Sequence, residues 1–242
     1  MCVIYFAYKA HPDRPLILAA NRDEFYDRPT APAQFWDDHP DIYAGRDLVA
    51  GGTWLGITVS GRVAAVTNYR EPGASKGTRS RGELVAGFLK GDESAEDYLA
   101  GVEQRRSEYS GFNLLVGEFS RSRCDLFYLS NRSDAGLRKL EPGIYGLSNH
   151  LLDTPWPKVR SGLERFGSLV KGPDFDSDQL FELLVDESLA EDDDLPDTGI
   201  GYEKEKALSS IFIRTPIYGT RSSTVVTLDD DFEGKLVERV FV

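Results

Sequence analysis

The chain has 242 residues, 40% hydrophobic and 28% charged, which suits one large α/β or β-rich domain and excludes a disordered chain. Asp and Glu outnumber Lys and Arg by 40 to 28, a formal net charge of -12 that repels polyanions and argues against a nucleic-acid partner. No apolar run approaches the roughly 20 residues of a membrane helix, and the start shows no secretory leader, so a cytoplasmic protein with no integral membrane segment is expected.

In chain order, Cys2 to Tyr8 is continuously apolar, the pattern of a strand buried on both faces. Pro15 to Ala20 reads as a second strand, ending at Asn21-Arg22-Asp23-Glu24. Trp54–Val59 and Arg62–Asn68 flank Ser60-Gly61, which predicts a hairpin with a tight turn. Helices are expected over Arg81 to Lys90 and from Ser94, with Asp97 three residues on approximating a capping box. Asn113–Gly117 and Cys124–Ser130 read as a strand pair and Ile144–Ser148 as a short strand. Val159, Leu163, Phe166 and Val170 have helical spacing, and Asp176 or Ser177 caps a helix to about Leu184. The acidic run Glu187 to Asp197 reads as a solvated loop, and strands close the chain at Ser210–Arg214, Ser223–Leu228 and Leu236–Val242. No repeat or flexible linker interrupts residues 1–242, which are read as one domain. Runs of strands separated from runs of helices point to antiparallel sheets with helices outside, and two stacked sheets between helix layers satisfy the order.

Cys2 is the first residue of chemical interest. Removal of Met1 would leave its α-amine beside its own thiol, and an amine with a pKa near roughly 8 can act as a base at neutral pH. On position alone, a small residue buried in a strand is an equally good reading. The only other cysteine is Cys124; one disulfide is formally possible, and two free thiols in a reducing compartment are the expectation. Asn21, Arg22, Asp23 and Glu24 put charge near the core, where Arg22 and Asp23 could tune the thiol or orient the amine; a caged salt bridge in a turn is the plainer alternative. Asn68 and Asn149 sit where a side-chain amide can donate to an oxyanion, although a turn-forming Asn is commoner. Arg221 is either a surface charge or an anion clamp. His11, His39 and His150 are not spaced as a metal pair, and Gly51-Gly52-Thr53-Trp54-Leu55-Gly56 precedes a strand rather than opening a phosphate-binding helix. Trp36, Trp54 and Trp156 are expected as core or rim residues.

These segments together resemble one family. Asn21-Arg22-Asp23-Glu24 within Leu16–Tyr26 carries the signature of the NRDE family, which includes the eukaryotic transport and Golgi organisation protein 2. The likeness continues through Gly51–Gly56, Ala64–Tyr69, Arg81–Val85, Gly111–Leu115, Tyr145–Asn149, Thr154–Trp156 and Tyr218–Arg221, in order along the chain. It implies an α+β fold of the N-terminal-nucleophile (Ntn) hydrolase kind, a four-layer αββα sandwich with two mainly antiparallel sheets between helix layers. A more distant resemblance is to cysteine Ntn amidases such as bile salt hydrolases and penicillin V acylases. By that likeness Cys2 would be the nucleophile, its amine the base, and Asp23 the holder of the amine. Asn68 and Asn149 would shape the oxyanion site, and Arg221 would support it electrostatically. The early Arg of those amidases aligns with Ala20 here, and Arg22 stands beside Asp23 instead. The family likeness also implies an alternative: a non-enzymatic carrier or chaperone for haem or acyl-lipid (acyl-CoA) ligands, in which Cys2 or a histidine would ligate haem iron. The hydrolase reading needs no cofactor and takes a small-molecule amide.

Overall fold

In the computed structural model, residues 2–172 and 176–242 are described, so the question of Met1 removal lies outside them. The described elements are β1 (Cys2–His11), β2 (Arg14–Phe25), β3 (Thr30–Trp36), β4 (His39–Asp47), β5 (Leu55–Thr58), β6 (Arg62–Asn68), α1 (Gly82–Lys90), α2 (Ala95–Gln104), β7 (Phe112–Phe119), β8 (Cys124–Ser130), β9 (Arg138–Lys139), β10 (Gly143–Leu147), α3 (Pro157–Val170), α4 (Ser177–Leu184), α5 (Tyr202–Ala207), β11 (Tyr218–Leu228) and β12 (Gly234–Val240). They build a 5-stranded sheet ordered β10-β1-β2-β11-β12 and a 7-stranded sheet ordered β3 to β9 in sequence. Every strand pairing in both sheets is antiparallel.

Period-two alternation explains the layers. On β1, Ile4, Phe6 and Tyr8 face the second sheet, where they meet Leu55, Val63, Leu115 and Leu126. Val3, Tyr5 and Ala7 face the other way, onto Phe166 and Val170 of α3 and Leu180 and Leu184 of α4. The outer face of the 7-stranded sheet packs on Leu84, Val85 and Phe88 of α1 and Leu99 and Val102 of α2. The expected αββα sandwich is therefore present, with a core between the sheets and one under each helix layer. The predicted caps hold: the Ser94 hydroxyl accepts from the Asp97 N–H, and Asp176 with Gln179 forms a complete capping box.

Two expectations fail in informative ways. Asn21–Glu24 does not end the second strand but continues it, because β2 pairs with β1 as far as Arg22 and with β11 as far as Phe25. The polar side chains are tolerated there because each meets a partner, as described below. Ser210–Arg214 forms no strand. Its backbone is used irregularly: the Phe212 N–H donates to Asp186 O at 2.8 Å, and Ile211 O accepts from the Asn21 side chain at 2.9 Å. An apolar run thus packs as a buried loop. No helix among the described residues is long and apolar enough to cross a membrane.

Candidate functional site

The inner face of the 5-stranded sheet changes character at one end. Along β2, Leu16, Leu18 and Ala20 fill the core between the sheets, and Arg22 is the next residue on that face. On β1 the same alternation carries Ile4 to Cys2. Registration then puts Cys2 opposite Arg22, Arg22 opposite Ser222, and Ser222 opposite Val240. These four residues form a row across four strands, and all four line a cavity of about 350 Å³. The cavity opens where the apolar filling ends. Thr53, Trp54, Val66 and Asn68 of the second sheet's side and Ser80, Arg81 and Gly82 at the start of α1 complete its wall. Gly52 allows that approach: a Cβ there would lie 2.5 Å from the Gly82 carbonyl carbon.

Of the sequence-predicted residues, Cys2, Arg22, Asp23, Glu24, Asn68 and Arg221 line this cavity. Cys2 is buried and free of any disulfide, as is the half-buried Cys124. Burial pushes the Cys2 thiol above its usual value; the Asp23 carboxylate adds to that, while a hydrogen bond donated to the sulfur by the Asp23 backbone N–H and the Arg22 guanidinium oppose it. At neutral pH the sulfur therefore holds its proton until a base takes it. Asp23 is also buried, and burial raises its carboxyl pKa despite a hydrogen bond from the Thr220 hydroxyl at 2.7 Å. The Tyr218 hydroxyl donates to the Asp23 carbonyl at 3.1 Å.

Asn68 ends β6 half-buried, and its side-chain amide makes no hydrogen bond among those described. Asn149 is placed differently. It is fully buried outside the cavity lining, and its Nδ2 donates to the Asn68 carbonyl at 3.0 Å. The neighbouring Ser148 hydroxyl donates to the Cys2 carbonyl at 3.0 Å. The turn after β10 thus ties Cys2 on one sheet to Asn68 on the other. Asn21 lies on the opposite face of β2, donating to Leu184 O at 2.8 Å and Ile211 O at 2.9 Å and accepting from the Ser223 hydroxyl at 2.6 Å. Its place is structural. Arg221 sits at a register break in β11 between Thr220 and Ser222. Its Nη1 donates to the carbonyls of Phe25, Tyr26 and Arg28 at 3.0, 3.0 and 2.6 Å, and its Nη2 to Val242 O at 3.1 Å. The surface-charge alternative does not hold for it, since it is buried.

Sequence reasoning missed Lys158. It is buried on the first turn of α3, and its Nζ donates to Leu208 O at 3.1 Å. Burial pushes its pKa down to about 8, against the pull of nearby Asp23. A lysine in an amphipathic helix reads as solvated, and nothing local in the sequence marks this one. Arg81 was read only as a helix start and family match; it lines the cavity as the residue before α1. None of the histidines lines the cavity: the His11 ring accepts from the Asp13 N–H, and His150 is held between Tyr69 and Thr154 at 2.8 Å each. No group of His, Cys, Asp and Glu among the described residues is arranged to hold a metal ion.

Comparison with known proteins places this geometry. The transport and Golgi organisation 2 family model matches residues 1–242. A Bos taurus transport and Golgi organization protein 2 homolog is 40% identical over 255 residues, covering 99% of this chain and 92% of its own length. The Homo sapiens homolog is 39% identical with the same coverage. Among solved structures, a Caenorhabditis elegans ortholog of N-acylethanolamine-hydrolyzing acid amidase superposes with a TM-score of 0.56 at 12% identity, covering 100% of both chains. A conjugated bile acid hydrolase from Clostridium perfringens gives 0.53 at 8% identity, covering 100% of this chain and 92% of its own. At these identities the likeness is one of fold. The chain belongs to the transport and Golgi organisation 2 family, on a fold shared with the Ntn hydrolases.

Proposed function

We propose that the protein is a cysteine Ntn-type amidohydrolase that cleaves a non-peptide C–N amide through a thioester on Cys2. The observation that carries this reading is the convergence of Cys2, Asp23 and Asn68 on one cavity at the end of the inter-sheet core. Once Met1 is removed, the Cys2 amine takes the thiol proton and the sulfur attacks the amide carbon. The carbonyl oxygen becomes an oxyanion, and the Asn68 side-chain amide donates to it. Collapse breaks the C–N bond, and the amine product leaves with the proton held on the Cys2 α-ammonium. Water, deprotonated by the same amine, then attacks the thioester, releasing the carboxylic acid and restoring the thiol. Asp23, poised by Thr220, orients the amine. Asn149 acts by fixing the Asn68 backbone rather than by touching the substrate. Arg221 holds the β2–β3 turn and lends positive charge.

The two solved neighbours are named for hydrolysing N-acylethanolamines and conjugated bile acids, which makes small acyl amides the substrates to try first. The test is amine release from a series of N-acyl amides of graded chain length. Release that vanishes in Cys2→Ala supports the reading; release unchanged in Cys2→Ala refutes it.

One observation favours a second reading, a carrier for acyl-lipid ligands. Val240 and Val242 line the cavity yet are 53% and 52% exposed, giving it an apolar lip. For haem, Cys2 is the one cavity side chain of a haem-ligating kind, since no histidine lines it. Saturable binding of an acyl-lipid, or a Soret shift with haem, in a protein that cleaves no amide would favour the carrier.

A further inference from the structure

We propose that the cavity beside Cys2 contains a subsite for a carboxylate or phosphate group, formed by Arg22, Arg81 and Arg221, so that the amide it accepts is anionic. The inference takes the cleaved bond from the amidohydrolase reading, but the anion site stands on the cavity alone.

In a chain of net charge -12, this cavity is lined by six arginines against four carboxylates. Half of the arginines are neutralised by ion pairs: Arg28 with Asp47 at 2.7 Å, Arg46 with Asp38 at 2.6 Å, and Arg79 with Glu83 and Glu108 at 2.5 and 3.1 Å. Arg22, Arg81 and Arg221 enter none of the ion pairs among the described residues. Arg22 Nη1 donates to the Thr30 hydroxyl at 3.2 Å and Arg81 Nη1 to Gly111 O at 3.0 Å, both neutral oxygens, while Arg221 Nη1 is held by carbonyls of the β2–β3 turn and its Nη2 by the Val242 oxygen. Arg22 is only 7% exposed. A buried cation without a counter-charge is unfavourable, so such a group is retained where a ligand supplies the charge.

The cavity's own carboxylates are engaged elsewhere. Glu24 accepts from the Phe25 N–H at 2.9 Å, Glu238 from the Ala33 N–H at 2.7 Å, and Asp23 from Thr220. Asp23 lies within electrostatic range of Arg22, and Glu24 of Arg81 and Arg221, without an ion pair forming. A guanidinium has five N–H donors, and those of Arg22 and Arg81 beyond the two bonds above have no acceptor among the described residues. Arg22 stands directly opposite Cys2, and Arg81 approaches from the second sheet's side at the start of α1, whose positive end adds to the field. An anion there sits close to the sulfur. Arg221 is too tied to the backbone to reach a ligand with Nη1, and supplies charge from behind.

The experiment compares alkylation of Cys2 by iodoacetate and by iodoacetamide, read by peptide mass spectrometry. The two reagents differ in charge, and neither requires amide cleavage. The reference is the same cysteine in the urea-unfolded chain. The folded protein is expected to raise the iodoacetate-to-iodoacetamide rate ratio about tenfold over that reference, the worth of one charge-assisted contact. The excess should fall in Arg81→Gln and in 1 M NaCl, the salt test serving wherever an Arg22→Gln chain fails to fold. Protection of the folded protein by acetate assigns a carboxylate, and protection by inorganic phosphate assigns a phosphate; either supports the subsite. A folded ratio equal to or below the unfolded one, or no reaction of Cys2 with either reagent, overturns it. That failure differs from loss of amide cleavage in Cys2→Ala, which is read separately.

Discussion

Glu205→Gln tests how firmly the end of β6 is held. Arg70 and Glu205 form an ion pair at 2.5 Å with side chains 7% and 4% exposed. Arg70 also lies over the Trp156 ring at 4.6 Å, and its backbone N–H donates to Asn149 O at 2.7 Å. Thr198 binds the same carboxylate through its N–H at 2.9 Å and its hydroxyl at 2.5 Å. The pair therefore anchors α5 to the segment that carries Asn68. Glutamine keeps an oxygen for Thr198 but turns an NH₂ toward the guanidinium, leaving a buried charge uncompensated. Breaking one side of such a pair costs about 3–5 kcal/mol. For a chain of this size that lowers Tm by roughly 6–20 °C. Urea unfolding should show the midpoint falling with an unchanged slope. The control is Asp231→Asn, which breaks the Arg121–Asp231 pair at 2.9 Å with side chains 86% and 72% exposed, and should cost under about 1 kcal/mol. A Glu205→Gln loss no larger than the control's would refute the reasoning.

Asn21→Ala should cost about 3 kcal/mol or more in the same assay, because it strands Leu184 O, Ile211 O and the Ser223 hydroxyl in the core; a loss below 1 kcal/mol would contradict the structural place given to it. Asn68→Ala should leave stability within about 1 kcal/mol while slowing Cys2 acylation by about 10²–10³-fold; unchanged acylation would remove Asn68 from the oxyanion site. Lys158 titrates near 8 in the fold, below the ordinary 10.5. Between those values the unfolded chain binds more protons, so wild-type stability should gain about 3 kcal/mol from this group as pH rises from 8 to 10.5. Lys158→Met should lack that rise, and parallel stability curves for the two proteins would contradict it.

Much of the sandwich was legible because both faces of β1 and β2 are buried, so their apolar runs and the later helical spacings had one consistent arrangement. β3 and β4 were not foreseen. Their burial is mixed and irregular along both strands, which carry Pro32, Pro40 and Asp41, so there was no alternation to read. α5 was missed for a different reason: Tyr202–Ala207 is short and charged, and Glu205 is buried against Arg70 and Thr198, partners far from it or outside any helix pattern. In the site, the order of motifs identified Cys2, Asp23, Asn68 and Arg221, all of which reach the cavity. Motif order could not tell that Asn149 supports Asn68 from outside the lining, since that depends on which way a turn presents its amide. Nor could it find Lys158 or the charge balance of the cavity, which arise from residues far apart in sequence. The family pattern left the early arginine's position to Ala20, yet the register brings Arg22 opposite Cys2.

The central claim is that Cys2 is an N-terminal nucleophile. Intact mass of the protein expressed in its own host, before and after a thiol-directed acylating probe, tests it most directly. A chain lacking Met1 that gains one acyl group, on Cys2 and not on Cys124, is the expected result. Retention of Met1, or acylation of Cys2 no faster than of Cys124, would contradict it.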